Sequence, residues 1–227
     1  QSIRLRKVHR KILFFVTEDW FFCSHFIDRA VAARQAGYDV GVITRVRAHG
    51  DVIRSAGLRL IPLEMSRRGK NPLRELGVIR RLVRIYRTEQ PDLVHQFALK
   101  PILYGTIAAR LAGVRKIVNA PVGMGYAFSS RQRKARLIRP LVIMGYRWLM
   151  NPPRSRVVLE NPDDESLLIG LRIVDARHTS VIRGAGVDLE RFAVSPEPQG
   201  GVLVVLAARM LWDKGVGEFV EAARMLK

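Results

Sequence analysis

The segment Val202-Leu-Val-Val-Leu-Ala-Ala-Arg209-Met-Leu-Trp-Asp-Lys214-Gly215 is typical of a buried strand that leads into a helix. Its apolar start, Val202 to Ala207, predicts a parallel strand that is covered on both faces. Arg209 and Lys214 stand before the helix, and a helix N-terminus favours bound anions. The segment therefore predicts a β-α unit with an anion site at its turn.

The same alternation of strand and helix recurs through the rest of the chain. Helical apolar patterns are predicted over Phe26 to Gln35, Pro72 to Thr88 and Ile102 to Ala112. Between them lie short runs rich in Val, Ile and Leu that are predicted to be strands: Lys11 to Thr17, Asp39 to Thr44, Arg59 to Leu63, Asp92 to Gln96, Lys116 to Ala120, Arg156 to Glu160 and Ser180 to Arg183. Strands that alternate with helices form right-handed βαβ units, so we predict an α/β fold with a doubly wound parallel sheet.

A Pro- and Gly-rich stretch, Ser195 to Gly201, is predicted to be a linker. It separates a first domain, residues 1–194, from the beginning of a second domain at residues 202–227. No apolar run approaches the ~20 residues that a membrane-spanning helix needs. Cys23 is the single cysteine, which suits a reducing cytoplasm.

The formal net charge is +19, from 39 Lys and Arg against 20 Asp and Glu. The cations gather in Arg67 to Lys70, Arg80 to Arg87 and Arg131 to Arg156. Such an excess indicates an anionic partner, and nucleic acid, an anionic membrane leaflet and a diphosphate substrate all fit it. A genomic bias towards Arg would give the same composition without a partner.

Ligands of open α/β sheets bind beyond the carboxyl ends of the strands, so the residues there are site candidates. Trp20, Ser24 and His25 follow the first strand; Ser24 is predicted to cap a helix and His25 to lie in its first turn. In the alternative interpretation, the aromatic residues belong to the core and His25 faces solvent. No Gly-x-Gly-x-x-Gly loop follows this strand, which argues against an NAD-binding domain.

Later strands are followed by further candidates. His95 and Lys100 are predicted to share one rim of the sheet, and Gly123 and Gly125 to let a backbone approach a ligand closely. The pair Glu160-Asn161 ends another strand, where its asparagine alternatively caps the next helix. No Cys or His cluster has metal-ligand spacing, so no metal site is predicted.

Five segments carry a resemblance to a known family. They are Trp20-Phe-Phe-x-Ser24-His25, His95-Gln-Phe-x-Leu-Lys100-Pro-x-Leu-Tyr104-Gly105, Gly123-x-Gly125-Tyr126-x-Phe128, Gly184-x-Gly186-Val-Asp188 and Ala208-Arg209-Met-Leu-Trp-Asp-Lys214-Gly215-Val. Together they resemble retaining glycosyltransferases of family 4, in the bacterial branch that extends undecaprenyl-diphosphate-linked sugars. The similarity extends over nearly the whole chain.

The resemblance implies a GT-B fold, in which two Rossmann-like domains face a cleft. The first domain here would be the acceptor-side domain, and residues 202–227 the first β-α unit of the donor domain. The implied reaction transfers an N-acetylhexosamine-type sugar from a UDP-sugar to a polyprenyl-diphosphate-linked saccharide without a metal or other cofactor. The protein would then lie at the inner face of the plasma membrane.

The resemblance also implies roles for individual residues. His25 and His95 would be catalytic, and Arg209, Lys214 and Gly186 would bind the donor. The residues that would bind the acceptor are Trp20, Ser24, Lys100, Gly123, Gly125, Tyr126, Glu160 and Asn161.

Three features depart from the family pattern. Glu18-Asp19-Trp20 replaces a Gly-Gly loop after the first strand, and Asn119-Ala-Pro121 stands where many members carry a histidine. The paired glutamates that hold the donor sugar would lie beyond Lys227. We therefore expect this chain to be a fragment that is inactive alone.

Two other functions remain open from the residues alone. One is a basic nucleic-acid-binding α/β protein, although no RRM, KH or helix-turn-helix signature accompanies the charge, so we predict no nucleic-acid partner. The other is a nucleotide-binding module without catalysis. Arg131 to Met150 alternates cations with bulky apolar residues, which is typical either of a membrane-interface segment or of a core helix with solvated arginines.

Overall fold

The chain divides into two compact units, residues 1–186 and 187–227. The computed structural model describes residues 10–65, 71–122, 133–151 and 154–226, except for 185, 188, 191, 197–198, 209 and 211. Within these residues, unit 1 contains a parallel sheet of seven strands: β1 Lys11–Glu18, β2 Asp39–Arg45, β3 Arg59–Pro62, β4 Leu93–Phe97, β5 Lys116–Ala120, β6 Ser155–Leu159 and β7 Thr179–Val181. The predicted doubly wound α/β fold is confirmed.

Helices connect the strands. Those of unit 1 are α1 Asp19–His25, α2 Ile27–Gln35, α3 Gly50–Ser55, α4 Pro72–Glu89, α5 Leu99–Ala112, α6 Arg133–Met150 and α7 Pro162–Gly170. Unit 2 contributes α8, Val216–Met225. The α4 helix begins at Pro72, as predicted. Its N-terminus is capped by Asn71, whose side chain accepts hydrogen bonds from the backbone N–H groups of Leu73 and Arg74.

Side chains of β1 alternate between two buried layers. Leu13 and Phe15 pack in a cluster with α4 and α5, whereas Phe14 and Val16 pack with α1, α2 and α3. Both faces of the sheet are therefore covered, which explains why the strands are continuous apolar runs. A third cluster joins α5, α6 and α7 to β6.

The strand order is β3-β2-β1-β4-β5-β6-β7, so the direction of winding reverses between β1 and β4. Ligands of such sheets bind outside the carboxyl ends of the strands near this reversal. Gly105 brings α5 close to β4 there, because a Cβ at residue 105 would overlap the side-chain amide of Gln96.

The β1-α1 connection differs from the prediction. A single helix was predicted over Phe26 to Gln35, but α1 begins directly after β1 and α2 follows a break at Phe26. Ser24 is therefore inside α1 and does not cap a helix, and its hydroxyl donates to the carbonyl oxygen of Phe21. The prediction failed because it did not recognise Asp19 as the start of a helix, where its carboxylate accepts from the backbone N–H of Trp20.

In unit 2 the predicted strand Val202 to Ala207 is wrong. These residues are exposed and form no strand. A strand is stabilised by hydrogen bonds to its neighbours, and the described residues of unit 2 offer no second strand to pair with. The helix predicted after Lys214 is confirmed as α8, which Gly215 precedes in a left-handed conformation with φ of 73°.

Candidate functional site

An aromatic rim, made of Trp20, Phe21, Ser24 and His25, lies on α1 beyond the carboxyl end of β1. Trp20 is 45% exposed. The Ser24 Oγ lies 2.6 Å from His25 Nδ1, and the His25 ring packs on Phe21 with centroids 4.5 Å apart. The structure thus brings three of the predicted site residues, Trp20, Ser24 and His25, onto one short helix.

Glu18 and Asp19 occupy the positions where the resemblance predicts glycines. The Asp19 carboxylate is fully buried and accepts hydrogen bonds from the backbone N–H groups of Trp20, Arg47 and His49 at 2.6–2.9 Å. Burial alone would raise the pKa of Asp19, but these hydrogen bonds outweigh it and hold the pKa below the usual value. The acidic pair therefore ties the β1-α1 turn to the β2-α3 loop.

An arginine pocket lies beside this turn, beyond the carboxyl ends of β2 and β3. Its volume is about 540 Å³, and its cations come from β2 and the following loop and from α4. The lining residues are Arg45, Arg47, Glu64, Met65, Asn71, Arg74, Glu75, Gly77, Val78 and Arg81. Four guanidinium groups around one cavity form a site for an anion.

The four arginines differ in their carboxylate partners. Arg45 is ion-paired with Glu18 at 2.6 Å, and Arg47 is 3.9 Å from Glu64 in an exposed pair. Arg74 and Arg81 form no salt bridge with any carboxylate of the described residues. Those two cations are therefore the ones that an anionic ligand would neutralise.

Glu75 joins the arginine pocket to the start of α5. Its carboxylate accepts from the Tyr104 hydroxyl at 2.6 Å and forms an ion pair with Lys100 at 2.9 Å. Burial by itself raises the pKa of Glu75, but these two hydrogen bonds outweigh it and lower the pKa. Glu75 therefore stays charged and fixes the position of Lys100, a residue predicted to bind the acceptor.

His95 lies apart from Lys100. It is in the middle of β4, with its ring between Phe14 and Phe97 at centroid distances of 5.5 and 4.1 Å, on the α1-α3 side of the sheet. The prediction of one shared rim is wrong, because His95 lies within the strand and faces the α1-α3 layer, whereas Lys100 is in the first turn of α5 and pairs with α4 in the opposite layer. Burial, and secondarily the charge of Arg29, lower the pKa of His95 to about 3.

Two of the remaining acceptor candidates of unit 1, Glu160 and Asn161, lie at the end of β6. Asn161 caps α7, since its side chain accepts from the backbone N–H of Asp164 at 2.7 Å, while Glu160 precedes it, partly exposed, at the end of β6. This capping role is the alternative that the sequence left open. Gly123, Gly125 and Tyr126 lie outside the described residues, as does the basic cluster 67–70.

The donor candidates fall in both units. Gly186 ends unit 1 in a left-handed conformation, with φ of 73°. Lys214 in unit 2 is exposed in a short turn, Trp212–Lys214, that leads into α8. A cation there stands next to the N–H groups at the start of a helix, an arrangement that favours anions. Arg209 lies outside the described residues.

The described residues contain neither a candidate metal site nor a candidate membrane-spanning helix. No group of three or more His, Cys, Asp or Glu among them is arranged to hold a metal ion. Likewise, none of their helices combines the length and the apolar character needed to cross a bilayer.

The fold is that of a Rossmann-like domain of a GT-B protein, and solved structures agree. A glycosyltransferase from Rickettsia africae matches with a TM-score of 0.55 and 16% identity, covering 83% of this chain and 47% of that one. HepE from Anabaena in complex with UDP-glucose matches with a TM-score of 0.57 and 19% identity, with the same coverage.

The chain belongs to the glycosyl transferase 4-like family, whose model matches residues 11–151. It is 26% identical, over 83% of its length and 53% of the relative's, to the N,N'-diacetylbacillosaminyl-diphospho-undecaprenol alpha-1,3-N-acetylgalactosaminyltransferase of Campylobacter jejuni. It is 36% identical, over 49% of its length and 27% of the relative's, to the UDP-Gal:alpha-D-GlcNAc-diphosphoundecaprenol alpha-1,3-galactosyltransferase of Escherichia coli. The chain thus spans about half the length, or less, of the curated relatives it matches.

Sequence reasoning missed the arginine pocket. Arg45 directly follows the strand predicted over Asp39 to Thr44, whereas Arg74 and Arg81 lie within the helix predicted over Pro72 to Thr88. Their spacing of seven residues, two helical turns, puts them on one side of α4. That spacing could have predicted that both arginines line the same site. The contribution of Arg45 could not be predicted in this way, because it depends on where β2 lies in the strand order.

Proposed function

We propose that this chain is the acceptor side of a glycosyltransferase that moves a sugar from a UDP-sugar to a polyprenyl-diphosphate-linked saccharide. The observation that carries the proposal is the arginine pocket at the carboxyl edge of the sheet. Its two arginines without a salt-bridge partner in the described residues match the charge of a diphosphate. Both curated relatives are named for undecaprenyl-diphosphate-linked substrates, which supports this choice of anion.

The size and chemistry of the pocket favour a diphosphate. A cavity of about 540 Å³ is within the usual range for small-molecule sites and has room for a diphosphate with part of its sugar. Arg74 and Arg81 offer planar forks of donors for phosphate oxygens, and the N-terminus of α4 adds its positive end. Glu64 and Glu75 give the pocket an acidic border that disfavours more extended polyanions.

The aromatic rim is proposed to receive the acceptor sugar. Sugar sites combine an apolar surface with a few well-placed polar groups, and Trp20, Ser24 and His25 supply both. His25 is exposed and able to exchange hydrogen bonds with a sugar hydroxyl. His95, neutral at physiological pH, has a buried Nε2 without a partner among the described residues, so we assign it to hydrogen bonding and not to proton transfer.

The donor side is proposed to begin in unit 2. Lys214, together with Arg209, would stabilise the negative charge that develops on the departing UDP. The two cations would thus take the role that a metal ion has in other enzymes. The name of the E. coli relative, with UDP-Gal as donor and an alpha-1,3 product, supports a UDP-sugar and retention of configuration, since galactose is α-linked in UDP-galactose. The described part of unit 2 contains α8 and no strand, so we expect no transfer by these 227 residues alone.

The site of action is proposed to be the inner face of the plasma membrane, with peripheral attachment. A polyprenyl acceptor is confined to a bilayer, and a net charge of +19 favours an anionic leaflet.

An equilibrium binding assay tests the proposal. A short-chain polyprenyl-diphosphate N-acetylhexosamine is titrated into the chain, in parallel with the corresponding monophosphate and with a single-stranded RNA oligomer. We expect the diphosphate to bind at least about tenfold more tightly than the monophosphate, because a second phosphate adds charge-assisted hydrogen bonds. Equal binding of the two phosphates, or tighter binding of the RNA, would refute it.

A further inference from the structure

The charges of unit 1 are unevenly divided between the two faces of the sheet. The sequences of α4, α5 and α6, which pack side by side on one face, hold twelve Lys and Arg against two Glu. Both of these, Glu75 and Glu89, are ion-paired. The helices on the other face, α1 to α3, hold three Arg and three Asp. The acidic N-terminus of α7 then marks where the basic surface ends.

The same three helices expose large apolar side chains to solvent. The exposed residues are Leu76, Leu103, Leu111, Leu141, Met144 and Trp148. On α6, Leu141, Met144 and Trp148 recur at intervals of three and four residues, so they form a single stripe. The side chains of Leu111, Met144 and Trp148 are 58%, 64% and 51% exposed. Single exposed apolar residues are common on protein surfaces, whereas a group of neighbouring ones indicates an interaction surface.

Arginines join the three helices into one surface. Arg87 of α4 donates to the carbonyl oxygen of Leu111 in α5 at 3.1 Å. Arg110 of α5 donates to the carbonyl oxygen of Trp148 in α6 at 2.8 Å, and its guanidinium group lies 4.1 Å from the centroid of the Trp148 ring. A groove of about 630 Å³ between α4 and α5 carries Arg80 and Arg84 beside Leu76. Apolar and cationic groups therefore alternate across a continuous face.

We propose that this face of α4, α5 and α6 docks on an anionic phospholipid bilayer, with Trp148 and the leucines in the headgroup-acyl boundary and Arg80 and Arg84 among the phosphates. Interfacial protein surfaces have this combination of apolar side chains with Lys and Arg, and Trp is favoured at that depth. Charge complementarity identifies the occupant, since the face is almost free of unpaired carboxylates. The choice of a lipid surface over other polyanions rests on the proposed function.

Docking in this orientation has a consequence for the arginine pocket. Arg80 and Arg81 are neighbours on α4, but Arg80 faces the groove and Arg81 faces the pocket. The Arg80 side of α4 would therefore contact the bilayer, and the Arg81 side would hold the arginine pocket next to the bilayer surface. A diphosphate that emerges from the bilayer on a polyprenyl chain would meet the pocket at the level of the lipid phosphates.

Co-sedimentation with vesicles tests the docking face. The chain is mixed with vesicles of phosphatidylcholine alone and with vesicles that also contain phosphatidylglycerol. We expect binding to the anionic vesicles only, and a loss of at least about tenfold in Arg80→Glu/Arg84→Glu, since each basic residue near anionic lipid contributes to attachment. The matched control is Arg34→Glu/Arg54→Glu, which makes the same charge change on the opposite face and should keep nearly full binding.

Tryptophan quenching tests the orientation independently of charge. The chain has three tryptophans, Trp20, Trp148 and Trp212. Variants that retain only Trp148 or only Trp20, with phenylalanine at the other two positions, are mixed with anionic vesicles that contain brominated lipid. We expect the bromine to quench Trp148 and to leave Trp20 unaffected.

Several outcomes would overturn the proposal: equal binding to neutral and anionic vesicles, an equal loss in the control variant, quenching of Trp20 instead of Trp148, or binding to RNA but not to vesicles. The assays need neither a donor nor a polyprenyl acceptor. Failure of docking is therefore distinguishable from failure of the proposed function, because the latter is measured with a soluble short-chain diphosphate. We expect the single variant Arg80→Glu, which changes only the groove side of α4, to weaken vesicle binding and to bind that soluble ligand normally. Arg74→Ala/Arg81→Ala should bind vesicles normally.

Discussion

Glu18 and Arg45 form a bidentate ion pair across the carboxyl ends of β1 and β2. Arg45 Nη2 lies 2.6 and 2.7 Å from the two carboxylate oxygens, and Nε donates at 3.1 Å. The side chains are 7% and 23% exposed. Arg45 therefore enters the arginine pocket with its charge already compensated, which leaves Arg74 and Arg81 to attract the ligand.

This pair yields the first prediction, for Glu18→Gln. Losing the carboxylate leaves Arg45 with an uncompensated charge, so the affinity of the pocket for inorganic diphosphate should rise severalfold. The free energy of unfolding should fall by about 1 to 2 kcal/mol, less than for a fully buried pair because Arg45 is partly solvated and Gln still accepts a hydrogen bond. Urea unfolding and calorimetric titration measure the two quantities.

The matched variant is Glu64→Gln, which breaks the exposed contact with Arg47 at 3.9 Å. It should change the free energy of unfolding by less than about 0.5 kcal/mol. A Glu18→Gln protein with unchanged stability and weaker diphosphate binding would show that the pair does not restrain Arg45 as described.

The second prediction concerns His95 and pH. The folded-state pKa of about 3 lies below the ordinary value of 6.5, so the unfolded chain binds one more proton between these two pH values. The contribution of neutral His95 to stability is complete above pH 6.5 and is lost as the pH falls towards 3. In that window, the free energy of unfolding should decrease by about 1.4 kcal/mol per pH unit more in the wild type than in His95→Phe.

Urea unfolding of both proteins between neutral and acidic pH checks this difference. Parallel curves over the whole range would mean that His95 is accessible to protons in the folded chain, which contradicts its assignment as a neutral hydrogen-bonding group. His25→Phe is the matched substitution at an exposed histidine, for comparison with the buried ring of His95.

Most of the sheet is predictable from the sequence because its strands are buried on both faces. The strand predicted at Lys116 to Ala120 matches the structure, and the other strands of unit 1 differ by one or two residues at one or both ends. Val202 to Ala207 has the same apolar character and is nevertheless exposed without strand pairing. Apolar periodicity reports a preference for a buried strand, whereas pairing depends on neighbours that lie elsewhere in the chain.

The candidate site was less predictable because it depends on tertiary contacts. Placing Trp20, Ser24 and His25 beyond the first strand needed only the order of elements. Finding the arginine pocket needed the pairing of β2 with β1 and the packing of α4. Asp19 gave no local signal, since two of the backbone groups that it binds belong to Arg47 and His49, about 30 residues further along the chain.

The third prediction concerns the donor side, in a protein that carries this chain joined to a complete donor unit. Lys214→Ala and Arg209→Ala should each lower turnover by about 10² to 10³-fold, because each cation stabilises charge on the departing diphosphate. Melting temperatures should stay within a few degrees of the wild type, since Lys214 is exposed. Steady-state kinetics with a UDP-sugar provides the measurement.

Arg224→Ala is the control for that experiment, as it removes an exposed cation from the other end of α8. It should retain full turnover. Normal turnover in both Lys214→Ala and Arg209→Ala would remove the donor role assigned to this turn.

The most direct test of the central claim is the affinity of Arg74→Ala/Arg81→Ala for a soluble polyprenyl-diphosphate N-acetylhexosamine. These two side chains are exposed, so the variant should fold normally. We predict that its Kd rises by about 100-fold, as expected when two charge-assisted contacts to phosphate are lost. Arg80→Ala/Arg87→Ala, which changes the side of the same helix that lines the α4-α5 groove, should stay within about twofold of the wild type. Equal affinities for the two double variants would contradict the assignment of the arginine pocket to the acceptor diphosphate.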